Sequence, residues 1–174
     1  MREAAPPYAG EGPHALWHVS EDDSIRRFEP RDGAVWAIDT RHLPLYWFPR
    51  DCPRATFWAS SRTSDDDVAR FLGGERSRRV HVVEPGWVRF MHGTRVVAYR
   101  LPAETFAQDD DRFWVSSEPV EPLGIEELGD LVQRHGRAGI ELRADRNLLT
   151  VWDDVVASTL DFSGIRLRNA RMSA

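Results

Sequence analysis

The stretch LWHVSEDDSIRRFEPR (16–31) decides how the rest of the chain is read. It opens on an apolar run holding one histidine, passes an acidic turn, and continues into a cationic segment with Ile25 and Phe28 three apart. Alternation of side chains makes 16–19 a buried first strand and puts His18 on one face with Leu16 and Ser20. Ser24 is placed to cap a single helical turn whose inward face is Ile25 and Phe28. On residues alone His18 is a core ring bonded to backbone; its position beside a turn also suits a ligand contact.

Outward from this unit, AVWAID (34–39) alternates as a second strand and RATFWAS (54–60) as a third. Between them RHLPLYWFPR (41–50) predicts a short helix entered at Pro44 and ended by Pro49, with Leu45 and Phe48 on one side and Tyr46 and Trp47 flanking. Ser64 and the three Asp after it mark a helix start, and Gly73–Gly74 its stop. Residues 80–83, 87–91 and 95–101 are short alternating runs parted by Pro85–Gly86 and Gly93, which predicts hairpins. A further strand is expected over 113–120, with Trp114, Ser116 and Glu118 sharing a face. Helical spacing follows at 125–135 and 147–160, with a short strand at 140–142 and an edge strand or tail at 165–168. The sum is an α+β chain of mixed, mostly antiparallel, short-stranded sheets with marginal helices. Residues 1–14, rich in Ala, Pro and Gly, read as a flexible lead-in, and 15–174 as a single domain.

Composition removes several chemistries. The net charge is −5, from 23 basic and 28 acidic residues, and every basic residue is Arg. Without Lys there is no Schiff base and no phosphate-loop lysine, so any anion falls to Arg forks, backbone N–H groups or His. The negative balance argues against an extended nucleic-acid surface, though not against a local arginine pocket. Cys52 is the only cysteine, which excludes an intrachain disulfide and a multi-cysteine zinc site. Flanked by Arg50 and Arg54, its thiol could ionise early. His81, Glu84 and His92 form a weak metal-ligand pattern, and no metal is expected. Seven Trp spread along the chain read as core rather than as a stacking track. No signal-peptide pattern or membrane-length apolar run is present in the sequence, so a cytoplasmic location is the default expectation.

Four stretches carry a resemblance: LWHVSEDDSIRRFEPR (16–31), VWAID (35–39), LYWFPRDCPRATFWA (45–59) and FWVSSEPVEP (113–122). They are similar to those of a group of small bacterial proteins of unknown function with LYHVSE–FEPR openings and a WFPRDCPR segment. The hydrophobic–His–Val–Ser first strand and the order of elements in turn resemble the ADP-ribosyltransferase-like fold. That resemblance implies NAD as cofactor and transfer of ADP-ribose to a macromolecular acceptor. His18 would contact the ribose, Tyr46 would pack on the nicotinamide, and Glu118 would stabilise the cationic sugar. Ser20, Arg27, Arg31, Arg50 and Arg54 would complete the cofactor contacts. Two alternatives stay open: a non-catalytic nucleotide-binding or protein-interaction module, and an RNA 2'-phosphotransferase-like enzyme. The last predicts arginines converging on His18 in place of a lone carboxylate.

Overall fold

The computed structural model describes residues 15–110 and 112–171, so the 1–14 lead-in lies outside the described residues. β1 (Leu16–Ser20) and β2 (Val35–Asp39) form where the apolar alternation is cleanest, and they pair antiparallel. A 3-10 turn at Leu43–Tyr46 with Pro44 in its first turn leads to β3 (Arg54–Trp58), buried along its whole length. α1 (Asp65–Leu72) starts where Ser64 Oγ accepts the Asp67 N–H. It is followed by β4 (Arg79–Val83), α2 (Pro85–Gly93), β5 (Val97–Leu101), β6 (Ala107–Gln108), β7 (Phe113–Ser116) and β8 (Gly124–Glu127). α3 (Leu131–Arg137), β9 (Glu141–Ala144), α4 (Leu148–Val156) and β10 (Asp161–Ile165) follow in turn.

The strands form two sheets, ordered β6-β7-β2-β1-β5-β8 and β10-β3-β4-β9. Among the described residues all strand pairings are antiparallel except β4 with β9, which gives an α+β arrangement of two mostly antiparallel sheets and four helices. Register sets the layers. Leu16 faces Leu101 and His18 faces Tyr99 across β1 and β5, and this outer face packs with Val35, Phe28 and Val120. Trp17, Ile38 and Ala98 point the other way, into a core shared with Leu43, Leu45, Trp47 and Trp58. Phe57, Val80, Leu72 and Val155 fill a third cluster between the second sheet and helices α1 and α4. Each such side chain taken out of water contributes about 1.5–3 kcal/mol. Among the described residues no helix is long and apolar enough to cross a membrane.

Several local expectations are corrected. No helical turn forms at 24–28. Asp22 instead accepts from both the N–H and the hydroxyl of Ser24, and Phe28 bridges Val120 as an isolated antiparallel pair. Short Asp and Ser side chains compete with the helix by bonding nearby backbone. Residues 87–91 are helical because Pro85 opens α2, where a preset φ and a missing N–H favour a first turn over a hairpin. The helix expected over 125–135 splits into β8 and α3. Gly129 at φ 67 breaks the chain there, and Asp130 caps the new helix by accepting from Gln133 N–H. The final strand begins earlier than expected and is the outer partner of β3.

A buried polar chain joins the second sheet to α3. His135 Nδ1–H donates to the Leu131 carbonyl at 2.7 Å, which leaves its Nε2 to accept from His81 Nδ1–H at 2.9 Å. His81 Nε2 in turn accepts from Arg79 Nε–H at 3.1 Å. Every ring nitrogen has a fixed role only while both rings are neutral. Burial, the largest cause, holds His135 down to about 4 and His81 well below 6.5. Both folded values lie under the unfolded one, so the unfolded chain takes up protons first. Stability is therefore full above pH 6.5 and is lost as pH falls toward 4. Urea unfolding followed downward from neutral pH is expected to show a loss of about 1.4 kcal/mol per pH unit for each histidine in that window. A profile flat through it would overturn the neutral-pair assignment.

Candidate functional site

The ends of β1 and β2 border a cavity of about 900 Å3. Residues from both faces of the first sheet line it; the outer lobe is the side lined from the His18 face and the inner lobe the side lined from the Trp36 face. His18 and Ser20 reach it on the outer face of the first sheet, beneath the loop carrying Ile25, Arg27 and Phe28. Val19 and Trp36, on the opposite face, border an inner lobe walled by Tyr46, Phe48 and the end of β10. The segment around Arg50 joins the lobes: its N–H donates to Glu21 Oε1 at 2.7 Å, and its carbonyl takes Arg166 Nε–H at 3.4 Å.

In the outer lobe, His18 Nδ1 lies 2.9 Å from the Trp36 carbonyl. A carbonyl only accepts, so Nδ1 carries the proton and Nε2 is the nitrogen left to meet a ligand. The ring leans on Phe28 at 4.8 Å between centroids. Burial is the main reason its pKa lies below 6.5; Arg31 and Arg50 push the same way, against the Trp36 bond. His18 is thus a neutral imidazole at pH 7 with one basic nitrogen. It is both the backbone-bonded ring and the cleft-lining ring that its strand position allowed.

The inner lobe is built by the 41–54 segment. Arg54, 3% exposed, donates Nε–H to the Leu45 carbonyl at 3.1 Å and Nη1–H to the Cys52 carbonyl at 3.0 Å. Its guanidinium sits 4.9 Å from the Phe48 ring centre and 5.5 Å from that of Tyr46. Among the described residues no carboxylate pairs with it, and burial lowers its pKa to about 10. Burial likewise raises Tyr46, so its phenol stays protonated. Arg166 enters from the other side in the left-handed conformation, φ 57, an uncommon backbone for a side chain of its size. Beside it Gly164 is required: a Cβ there would lie 2.6 Å from the Trp152 ring.

Among the described residues six arginines line the cavity, Arg27, Arg31, Arg50, Arg54, Arg166 and Arg168. The three described carboxylates there are already engaged. Glu21 holds the Arg50 N–H, Glu29 pairs with Arg27 at 2.8 Å, and Asp22 bonds Ser24. The balance favours an anion. The expected contacts His18, Ser20, Tyr46, Arg27, Arg31, Arg50 and Arg54 thus all border one cavity.

Glu118 does not. β7 stops at Ser116, whose hydroxyl accepts the Glu118 N–H at 3.2 Å and reaches Thr105 Oγ1 at 3.0 Å, so the chain turns and leaves Glu118 exposed beyond the strand. The early-ionising thiol is also corrected: Cys52 is fully buried and pushed up to about 12, burial outweighing Arg54. His81, Glu84 and His92 go to separate partners, respectively His135, the Arg171 N–H and Asp130. Among the described residues no group of three potential ligands could hold a metal. Trp36 departs from the expected tryptophan core, being 47% exposed where Trp17, Trp47 and Trp58 are buried. Sequence reading missed Trp36, Arg166 and Arg168. The alternation of VWAID carried the signal for Trp36, which falls on the face opposite Val35 and Ala37.

No curated protein and no solved structure matches the chain. One family model, described as "Family of unknown function (DUF6886)", matches residues 17–170, a span that includes the strands, loops and arginines of the cavity. The chain belongs to that family.

Proposed function

We propose that the cleft binds a nucleotide through its phosphate, and that the chemistry performed there is phosphate transfer of the RNA 2'-phosphotransferase kind. The observation that carries this is the convergence of six arginines and a neutral His18 on one cavity. Arg50, Arg54 and Arg166 would hold the phosphate oxygens, Arg54 with most force because its charge is buried and unpaired by any described carboxylate. His18 Nε2, its tautomer fixed by the Trp36 carbonyl, would take the proton of an acceptor hydroxyl as that oxygen bonds to phosphorus, while the bond from phosphorus to the RNA 2'-oxygen breaks and the RNA leaves with a 2'-hydroxyl once that oxygen is protonated. Tyr46, which lines the same cavity and keeps its phenol protonated, would supply a proton to the leaving 2'-oxygen.

Cleavage of NAD to ADP-ribose is supported less well. A cationic sugar calls for a free carboxylate, and Glu118 is outside the cavity while Glu21, Asp22 and Glu29 have partners within it. NAD keeps its place as a candidate cofactor through the resemblance to the ADP-ribosyltransferase-like fold and through its diphosphate. A nucleotide-binding module without catalysis would use the same arginines.

Titration calorimetry with ADP and with NAD tests the binding. Both are expected to bind, and Arg50→Gln or Arg166→Gln to weaken them about tenfold or more, since each removes a charge-assisted hydrogen bond. No heat at millimolar nucleotide would sink the proposal. Release of the 2'-phosphate from a phosphorylated RNA end in the presence of NAD tests the chemistry. His18→Asn is expected to slow turnover by roughly a hundredfold or more while leaving ADP affinity nearly unchanged. The charge argument has its own check by NMR. The His18 ring is expected to titrate below pH 6.5 in the free protein and to move upward in Arg31→Gln/Arg50→Gln and on binding phosphate, since either change relieves the local positive field.

A further inference from the structure

Trp36 is an exception within its own strand. Val35 is 4% and Ala37 3% exposed, yet the Trp36 side chain between them is 47% exposed and borders the inner lobe. A large aromatic left in water on a strand is informative, because burying it would gain more than burying either neighbour. The ring is nevertheless held. Phe113, one strand over, meets it edge-on at 5.9 Å and 84°, and Tyr46 meets Phe113 at 6.5 Å and 78°. These T-shaped contacts form a row of three rings whose two ends, Trp36 and Tyr46, both border the cavity.

We infer that Trp36 is the stacking platform for the base of the bound nucleotide. This rests on the nucleotide reading of the same cleft. The arginines of the inner lobe ask for an anion, and an exposed indole beside them asks for a flat apolar face. A nucleotide carries both on one molecule. Phe48 and Ile165 line the same cavity and add apolar surface beside the indole, which suits a base held by its face. Trp36 is therefore a binding residue rather than a catalytic one, and it sits on the face of the sheet opposite His18. The base occupies the inner lobe, and the phosphate lies toward Arg50 at the junction, within reach of the lobe that holds His18.

AMP and ribose 5-phosphate differ only in the base, which makes them the test pair. Calorimetry is expected to show AMP binding about tenfold tighter than ribose 5-phosphate, the size of one base–aromatic stack. Trp36→Ala should bring AMP down to the level of ribose 5-phosphate and leave ribose 5-phosphate within about twofold of its original value, whereas Trp36→Phe should restore most of the preference. Circular dichroism and a melting curve confirm that the exposed substitution leaves the fold intact. Equal affinities in the unaltered protein, or a preference that survives Trp36→Ala, overturn the platform while leaving the phosphate site standing. If neither compound binds, the nucleotide reading falls and the platform with it.

Discussion

The burial of the Arg54 guanidinium is the constraint on which the cleft depends. Taking a charge out of water costs several kcal/mol unless its donors are satisfied. Here two donors are met by the Leu45 and Cys52 carbonyls, and the Phe48 and Tyr46 rings lie near the guanidinium. Those carbonyls belong to the segment linking β2 and β3, so the arginine ties down the loop that carries Tyr46, Phe48 and Arg50. With no described carboxylate to neutralise it, its charge is what the proposed phosphate would compensate. The same residue thus shapes the wall and makes it positive.

The two lobes are joined by loops rather than by strands. The outer loop is tied from below by Tyr99, whose hydroxyl accepts the Ile25 N–H at 3.0 Å and donates to the Asp22 carbonyl at 2.8 Å. The Glu21 carboxylate reaches across to the Arg50 N–H. Backbone N–H groups facing a cleft are ready anion donors, and this one is held by an internal carboxylate. A phosphate bound near Arg50, as proposed, would compete with Glu21 for this donor, which would couple binding to the loop that Glu21 begins.

Much of this was legible in the sequence where one local signal had no competitor. The alternation of 16–20 and 35–39, the Ser64 cap and the run of arginines around 50 and 54 each point one way. The failures share a cause, a periodic pattern crossed by a short-range bond or a backbone break. Ile125, Leu128 and Val132 keep helical spacing across Gly129, yet a positive φ there separates a strand from a helix. Pro85–Gly86 serves a turn as well as a helix start, and packing of Met91 into the core favours the helix. Glu118 keeps step with Trp114 on paper, but the Ser116 hydroxyl turns the chain two residues earlier. Tertiary placement of Arg166 and Arg168 against the first strands had no local signature at all.

The closing strand has a consequence for how the protein is made. β3 lies between β4 and β10, so until residues 161–165 arrive it presents an unpaired edge on a strand that is buried throughout in the finished fold. Such edges recruit other chains. The same late residues bring Gly164, Ile165 and Arg166 to a cavity whose first wall was synthesised near the start of the chain. A nascent chain halted before β10 would lack both the edge cover and one side of the cleft. Were the cleft to bind a nucleotide as proposed, binding would report completion of the fold, because only finished molecules have both walls.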